Sequence, residues 1–418
     1  MIQQIIDTKG IGKFIQTSKE NEDPLKFLSP SNWVFHDEIV DKVLKGNYFG
    51  IRPICSEFDA TLNCSNRCGE CAYKYVKIVE GLWDRNNFLD QEAHMKNPEF
   101  AKELILKLKQ DNIKGIIFTG GGEPFLFKGL EDVVQYTTSL GIDSVCYTNG
   151  NILSELRIKK LLEVDPLLVR VSLNAGSEEV YNKFHNPFNK QLAFYRTLNT
   201  IEFLALGSLN HPRTSIGVGY VINEINQHDM VNAALRLREI SDKGGKIDFV
   251  CFRPEFNYYN KKQLSSELLD RTHEIVEKDV RKTLQDTNIY VDNVHCRFTA
   301  LKEDTRNYSE CRASALCSEI SCMGAFFCCD RNFNRRYYIG NLEQSSLDEI
   351  YSGEQRQKLH NYVKANGYIV CPPACKSHET NKQFEQIEKL REQGKINLVK
   401  DWIDTQRKMP KPKMVNFI

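Results

Sequence analysis

Eight residues near the start of the chain, Cys64-Ser65-Asn66-Arg67-Cys68-Gly69-Glu70-Cys71, place three thiols at spacings of three residues and then two. Three thiolates on one short loop can grip three corners of an iron–sulfur cubane, and with no fourth cysteine on the loop one iron stays open for a ligand. Zinc is the rival metal, although a structural zinc site is normally closed by four ligands at other spacings. Unliganded core cysteines are the plainer alternative, but three thiols in eight loop residues have little packing rationale. A second concentration lies downstream, where Cys311, Cys317, Cys322, Cys328, Cys329, Cys371 and Cys375 share one stretch. Fourteen cysteines in a chain of 418 residues, with no basic and apolar leader at the N-terminus, predict a reducing cytoplasmic setting in which clustered thiols bind metal.

Three further segments carry polar groups where a ligand could use them. Thr119-Gly120-Gly121-Gly122-Glu123-Pro124 ends a strand candidate, and its glycines let the backbone approach a ligand closely. A carboxylate with free carbonyls suits a cation there. In Leu167–Asn174, alternation puts Arg170, Ser172 and Asn174 on one face and Val169, Val171 and Leu173 on the other. In the Lys246–Phe252 candidate, Ile247, Phe249 and Cys251 share a face that continues to Arg253. Arg253 could hold a carboxylate or phosphate, and Cys251 could return a hydrogen atom to a substrate radical; a core cysteine and a structural arginine are the bland alternatives.

These residues need a scaffold that gathers loop ends on one side. Strand candidates are Glu57–Leu62, Gly115–Thr119, Ser144–Thr148, Leu167–Asn174, Thr214–Ile222 and Lys246–Phe252, with Cys55 placed ahead of the first. Helical patterns at Phe100–Lys109, Leu130–Leu140, Leu153–Leu162, Leu192–Leu206 and Met230–Ile240 fall between them, and a long one, Ser265–Leu284, follows. This alternation predicts an α/β fold with a parallel sheet flanked by helices. Six units suit a partial (β/α)6 TIM-like barrel, because a closed eight-fold barrel typically takes ~250 residues. The expected division is an N-terminal extension over 1–50, the partial barrel over 51–290, a small cysteine-rich domain over 291–380, and a C-terminal helix and tail over 381–418, with Lys408–Lys413 solvated. A net charge of +1 predicts no broad attraction to nucleic acid, and no run of 18 apolar residues predicts a membrane span.

The Cys64, Cys68 and Cys71 spacing resembles the signature of the radical SAM superfamily. The resemblance implies a [4Fe-4S] cluster whose open iron chelates the amino and carboxylate groups of S-adenosylmethionine (SAM). One-electron reduction then gives methionine and a 5′-deoxyadenosyl radical that abstracts a hydrogen atom from the substrate. Gly121, Gly122 and Glu123 match the family's Gly-Gly-Glu element, which receives the methionine ammonium. Ser172 and Asn174 fall on the strand that contacts the SAM ribose and carboxylate. Many members place an aromatic residue just before the third cysteine, near the adenine. Here Glu70 holds that place, and Tyr73, two residues after the cluster, is the candidate for the contact.

The downstream order of cysteine hairpin, turn, amphipathic helix and cysteine loop resembles the SPASM/twitch extensions of these enzymes, which hold an auxiliary [4Fe-4S] cluster across the substrate. Carried over position by position, its ligands are Cys311, Cys329, Cys371 and Cys375, with Cys317, Cys322 and Cys328 as competitors. The dense four-cysteine block of the fuller version is absent, so one auxiliary cluster fits better, and zinc is the rival here too. The resemblance implies a radical SAM oxidoreductase of dehydrogenase type acting on a small molecule or a peptide, reduced by flavodoxin or ferredoxin. An epimerase, a peptide-modifying enzyme and a zinc-stabilised binding module are the alternatives.

Overall fold

The computed structural model of the protein describes residues 29–71, 95–256, 264–293, 295–303, 308–329, 337–366 and 375–418. The first described helix, α1 (Asp37–Leu44), precedes strand β1 (Cys55–Asp59). Then come α2 (Pro98–Gln110), β2 (Gly115–Thr119), α3 (Leu130–Ser139), β3 (Asp143–Thr148), α4 (Glu155–Glu163) and β4 (Leu168–Ser172). The chain continues through α5 (Glu178–His185), α6 (Ala193–Gly207), β5 (Ser215–Ile222), α7 (Met230–Asp242) and β6 (Phe249–Pro254). Beyond these lie α8 (Ser266–Ile275), which runs through a π turn (Val276–Val280) into Arg281–Leu284, then β7 (Tyr290–Asn293) and α9 (His295–Glu303). The C-terminal part holds β8 (Cys317–Ile320), β9 (Ala325–Phe327), β10 (Tyr338–Asn341), α10 (Leu347–Ser352), α11 (Glu354–Asn366), α12 (His378–Glu392) and α13 (Ile396–Arg407).

Local signals explain why these segments start where they do. Asn97 accepts the Phe100 amide and Pro98 occupies the first turn of α2, which buries Phe100, Ala101, Leu104, Ile105 and Leu108. Ser154 caps α4 in the same way, and a Ser346–Glu349 capping box opens α10. Asn186 ends α5 in the left-handed region that asparagine tolerates.

One sheet of ten strands joins all of this in the order β10-β9-β8-β1-β2-β3-β4-β5-β6-β7. Strands β1 to β7 are parallel, as the βα alternation predicts. Two features differ from the sequence expectation. The first strand begins earlier, so Cys55 lies inside it, paired with Gly115 on one side and Cys317 on the other. The cause is β8, a strand from the cysteine-rich region that adds in parallel to β1 and fixes its register. A seventh parallel strand, β7, also lies beyond the expected six.

The sheet separates two apolar regions. Val169, Val171 and Leu173 join the large outer core beneath the helices, while Cys55, Ile117, Val145, Leu168, Phe249 and Cys317 fill the interior of the partial barrel. Met414 and Phe417 close that interior from below. Of the stretch expected to be solvated, Lys408, Pro410 and Lys411 are exposed while Lys413 is half-buried and donates to the Ser215 hydroxyl at 2.7 Å; the residues beyond it, Met414, Val415, Phe417 and Ile418, are buried. The apolar floor of the barrel gives these residues somewhere to go. The extension before β1 also packs: Trp33, fully buried, meets Phe384 at 5.3 Å and Trp402 at 5.9 Å, so α12 and α13 share a core with residues ahead of the barrel.

Candidate functional site

The cluster loop leaves the C-terminal end of β1, and the glycine segment leaves the adjacent β2. Their contact is backbone to backbone: the Glu123 amide donates to the Asn63 carbonyl at 2.8 Å. Only a residue without a side chain fits between them, since a Cβ on Gly122 would lie 1.9 Å from the Asn63 oxygen. Gly120, at φ +122°, likewise lies against Asp59. Gly121 faces the Leu62 side chain beneath the loop.

Polar side chains hold the loop from the other side. Asn149 directs its amide to the Ser65 hydroxyl at 3.0 Å and toward Cys64 Sγ at 3.7 Å. Ser65 donates to Asn151 at 2.7 Å, and Asn151 donates in turn to Asn66 at 2.6 Å. His185, fully enclosed, lies with Nδ1 3.2 Å from Cys68 Sγ and Nε2 3.1 Å from the Leu173 carbonyl. A carbonyl requires Nε2 to carry the proton, which leaves Nδ1 as the acceptor facing the thiol. Burial lowers the His185 pKa to about 4, so the ring stays neutral.

Cys64, Cys68 and Cys71 are partly buried and unbridged. Burial pushes the Cys64 thiol up to about 12 and holds Cys68 well above its usual range. A cation bound at the loop would favour the thiolate forms of Cys64 and Cys68, and the N–H donors on Cys64 Sγ, from the Asn66 amide at 3.4 Å and the Asn149 side chain at 3.7 Å, are of the kind a cluster ligand uses. The residues fit an iron–sulfur cluster.

All three thiols open onto one cavity of about 340 Å³ at the C-terminal mouth of the sheet. Gly122, Glu123, Ser172, Asn174 and Arg253 line it as the sequence suggests, Gly121 does not, and Cys375 shares the same lining. Glu123 is 2% exposed and accepts from the Thr148 hydroxyl and the Asn149 amide, each at 2.7 Å, and from the Phe125 amide at 3.3 Å. Burial outweighs these bonds and raises its carboxyl to about 7. Asn174 sits at φ +53° with Oδ1 accepting the Val221 amide at 2.7 Å, so its side chain is fixed. Cys251 does not reach the cavity; it packs against the barrel interior, where burial pushes its thiol up to about 12. Tyr73 and Cys371 lie outside the described residues.

Arg297 and Lys376 escape the sequence reading, while Arg170, which that reading places on the polar face of its strand, gains a position in the lining. Arg170 is 9% exposed, lies with its guanidinium carbon 3.6 Å from the Tyr147 ring centroid, and leaves Nε without a hydrogen-bond partner among the described residues. Arg297 joins it, and so does a buried ion pair in which Lys376 meets Glu57 at 3.0 Å and Cys317 Sγ at 3.3 Å. Alternation along β4 marks Arg170 as inward-facing. Lys376 follows Cys375 directly, and that adjacency is its one signal in the sequence.

In the cysteine-rich region, Cys311 is partly buried and accepts the Asn381 amide at 3.3 Å, and Cys329 is partly buried at the edge of the outer core. Cys322 and Cys328 are buried within that apolar core. Cys317 faces the barrel interior on β8.

Comparison with known proteins agrees with this geometry. Residues 60–237 match the radical SAM superfamily and residues 311–377 match SPASM, an iron–sulfur cluster-binding domain. The chain is similar to the Fe-coproporphyrin III synthase of Methanosarcina barkeri, 24% identical over 316 residues, covering 71% of this chain and 72% of that protein. An AdoMet-dependent heme synthase of the same organism is 24% identical over 156 residues, covering 36% of this chain and 39% of that one. Among solved structures, Streptococcus suis SuiB bound to S-adenosylmethionine superposes with a TM-score of 0.58 at 14% identity, covering 79% of this chain and 72% of that chain. The structure of anSMEcpe with bound AdoMet gives 0.52 at 13% identity, covering 82% of this chain and all of that chain. At such identities the structural likeness establishes the fold alone. No helix among the described residues is long and apolar enough to cross a membrane.

Proposed function

We propose that this chain, which belongs to the radical SAM superfamily and carries an iron–sulfur cluster-binding domain after its barrel, oxidises a small, carboxylate-bearing molecule held between two metal sites. The observation that carries this reading is the single cavity whose lining includes Cys64, Cys68 and Cys71 together with Cys375. A substrate there lies within reach of both. When bound, a cubane with SAM on its open iron supplies a hydrogen-abstracting radical.

The chain's own residues position the reactants. Cys64, Cys68 and Cys71 would hold the first cluster, and Cys311, Cys329, Cys371 and Cys375 the auxiliary one. The partial exposure of Cys329 favours it over the enclosed Cys328. Glu123 offers a carboxylate to the SAM ammonium, Ser172 and Asn174 face its ribose and carboxylate side, and Tyr73 is assigned to the adenine. The lining balances four cations, Arg170, Arg253, Arg297 and Lys376, against four carboxylates, Glu57, Glu70, Glu123 and Glu255; within it the three guanidinium groups are the ones shaped to pair with a substrate carboxylate. The relatives named for the synthesis of Fe-coproporphyrin III and heme point toward carboxylate-bearing tetrapyrroles. Cys251, behind the lining, serves packing in this reading rather than quenching a substrate radical.

The test is anaerobic reconstitution of the parent chain and of Cys375→Ala. The parent should bind about eight irons and the variant about four. The variant should still form 5′-deoxyadenosine from SAM but give no oxidised product. Full substrate turnover by Cys375→Ala overturns the auxiliary role, and a colourless parent overturns the whole reading.

A further inference from the structure

Along the inward face of β4 the polarity changes from floor to mouth. Leu168 is fully buried in the apolar interior, Arg170 is 9% exposed, and Ser172 opens further at the rim. Two residues of strand rise about 6.6 Å, so Arg170 stands roughly that far below Ser172 and directly above the apolar floor. The neighbouring strands shape its position. Tyr147 pairs with it on β3, and the guanidinium carbon lies 3.6 Å from the centre of that ring. On β5, its other neighbour, Gly217 and Gly219 stand beside Arg170 and Ser172. Phe249 covers Gly217, where a Cβ would lie 2.0 Å from its ring, and Arg170 covers Gly219, where a Cβ would lie 3.7 Å from Nε. The side chain thus leans toward the mouth between an aromatic face and a bare stretch of backbone.

What this guanidinium lacks is a partner. Among the described residues Arg170 makes no hydrogen bond and no ion pair. The other cations of the lining are placed differently: Lys376 is paired with Glu57 at 3.0 Å, and Arg253 and Arg297 are less buried. None of the lining carboxylates reaches Arg170, and Asp292, which shares the surroundings of the Cys251 thiol with it, does not pair with it either. An arginine cannot shed its proton, and a charge buried without a counter-charge is strongly unfavourable. The Tyr147 face offsets part of that cost, and an anion entering the cavity would offset the rest.

We propose that Arg170 selects the charge of the substrate: its guanidinium receives a substrate carboxylate through paired N–H donors at the foot of the cavity, against the Tyr147 ring. This deepens, and rests on, the reading above that a carboxylate-bearing substrate occupies the cavity. The planar fork matches a carboxylate as a point charge does not, and stacking on Tyr147 holds it in one plane. Depth sets the orientation. The anchored group lies below Ser172 and Asn174, so the rest of the molecule extends upward, toward the thiol-bearing loop. A neutral analogue leaves the guanidinium unpaired and is rejected for that reason.

The test uses the reconstituted full chain in the presence of SAM, with Arg170→Met and Arg170→Lys, and the probes are propionate and its neutral isostere propionamide. Binding is read by saturation-transfer NMR, and the stability of each ligand-free protein by chemical denaturation. The parent should prefer propionate about tenfold or more. Arg170→Met should bind the two probes alike, and Arg170→Lys should keep a reduced preference for propionate. Ligand-free Arg170→Met should unfold at the same denaturant concentration or a higher one, because it loses an unpaired charge; a structural arginine would give the opposite shift. SAM affinity should not change. The proposal is overturned if the parent does not discriminate between the probes, if Arg170→Met still does, or if that variant is destabilised or fails to fold. It is overturned too if SAM affinity falls together with propionate binding, since the guanidinium would then serve the cofactor's carboxylate. Propionate selection through Arg170 by a parent that cleaves no SAM would instead overturn the functional reading and leave the anion site standing.

Discussion

Replacing Gly122 by alanine is the most direct probe of how the protein holds its cluster loop. The new Cβ would lie 1.9 Å from the Asn63 oxygen and 2.5 Å from its carbonyl carbon, both backbone atoms that no rotamer change can clear. Restoring an ordinary contact of 3.4 Å moves the two segments about 1.5 Å apart. The hydrogen bond from the Glu123 amide to the same oxygen, now 2.8 Å, does not survive that shift. Losing the bond costs about 1 kcal/mol and the overpacking about 1–3 kcal/mol. The larger effect is positional, because a displacement near 1 Å at a reacting centre can cost about 10²-fold in rate. Gly122→Ala should therefore fold with a lowered melting temperature, incorporate less iron, and cleave SAM at least about 100-fold more slowly. Gly69→Ala, in the same loop but facing open space, is the control and should behave as the parent does. The reasoning fails if Gly122→Ala cleaves SAM within a few-fold of the parent, or if Gly69→Ala is equally impaired.

Two further outcomes follow from the site and from the barrel floor. Because burial holds the Glu123 carboxyl near pH 7, a cationic ligand meets a neutral acid below that pH and a carboxylate above it. SAM affinity should rise by up to about tenfold per pH unit toward pH 7 and level off above it, and Glu123→Gln should flatten the profile in a binding titration. In the ligand-free protein the sign is opposite. The raised folded-state pKa makes the Glu123 contribution greatest at low pH, and it declines as pH climbs from about 4.5 to about 7. Phe417→Ala empties a fully buried ring site at the floor of the barrel and should cost about 3–5 kcal/mol in chemical denaturation, while the folded fraction cleaves SAM normally; an unchanged unfolding midpoint would contradict the packing described.

The sequence was most informative where local chemistry sufficed. Strands β2 to β5 were legible because short apolar runs sit between helical patterns, and the inward face of β4 followed from alternation alone. The cysteine loop and the glycine segment declared themselves by spacing. Long-range pairing was invisible: β8 is four residues containing Ser318 and Glu319, and its partner β1 lies some 260 residues earlier, so neither propensity nor period could join them. The start of β1 was misjudged for the same reason. Helix α5 could have been found, since Ser177-Glu178-Glu179 followed by Val180, Tyr181 and Phe184 is a start signal with helical spacing. Arg297 and Lys376 had no pattern of their own; only the three-dimensional meeting of α9 and the final cysteine with the mouth of the sheet gives them a role.

The parallel pairing of β8 with β1 also bears on how such a protein can be taken apart or inherited. Two units that look separable along the chain share a strand boundary, and cutting before residue 311 would strip β1 of a neighbour. That would leave a bare row of amides and carbonyls beside the thiol-bearing loop, an invitation to mispairing with another chain. The front and back halves are thus bound to a common fate: a recombination that exchanges the second must bring a strand able to take over the vacant seam.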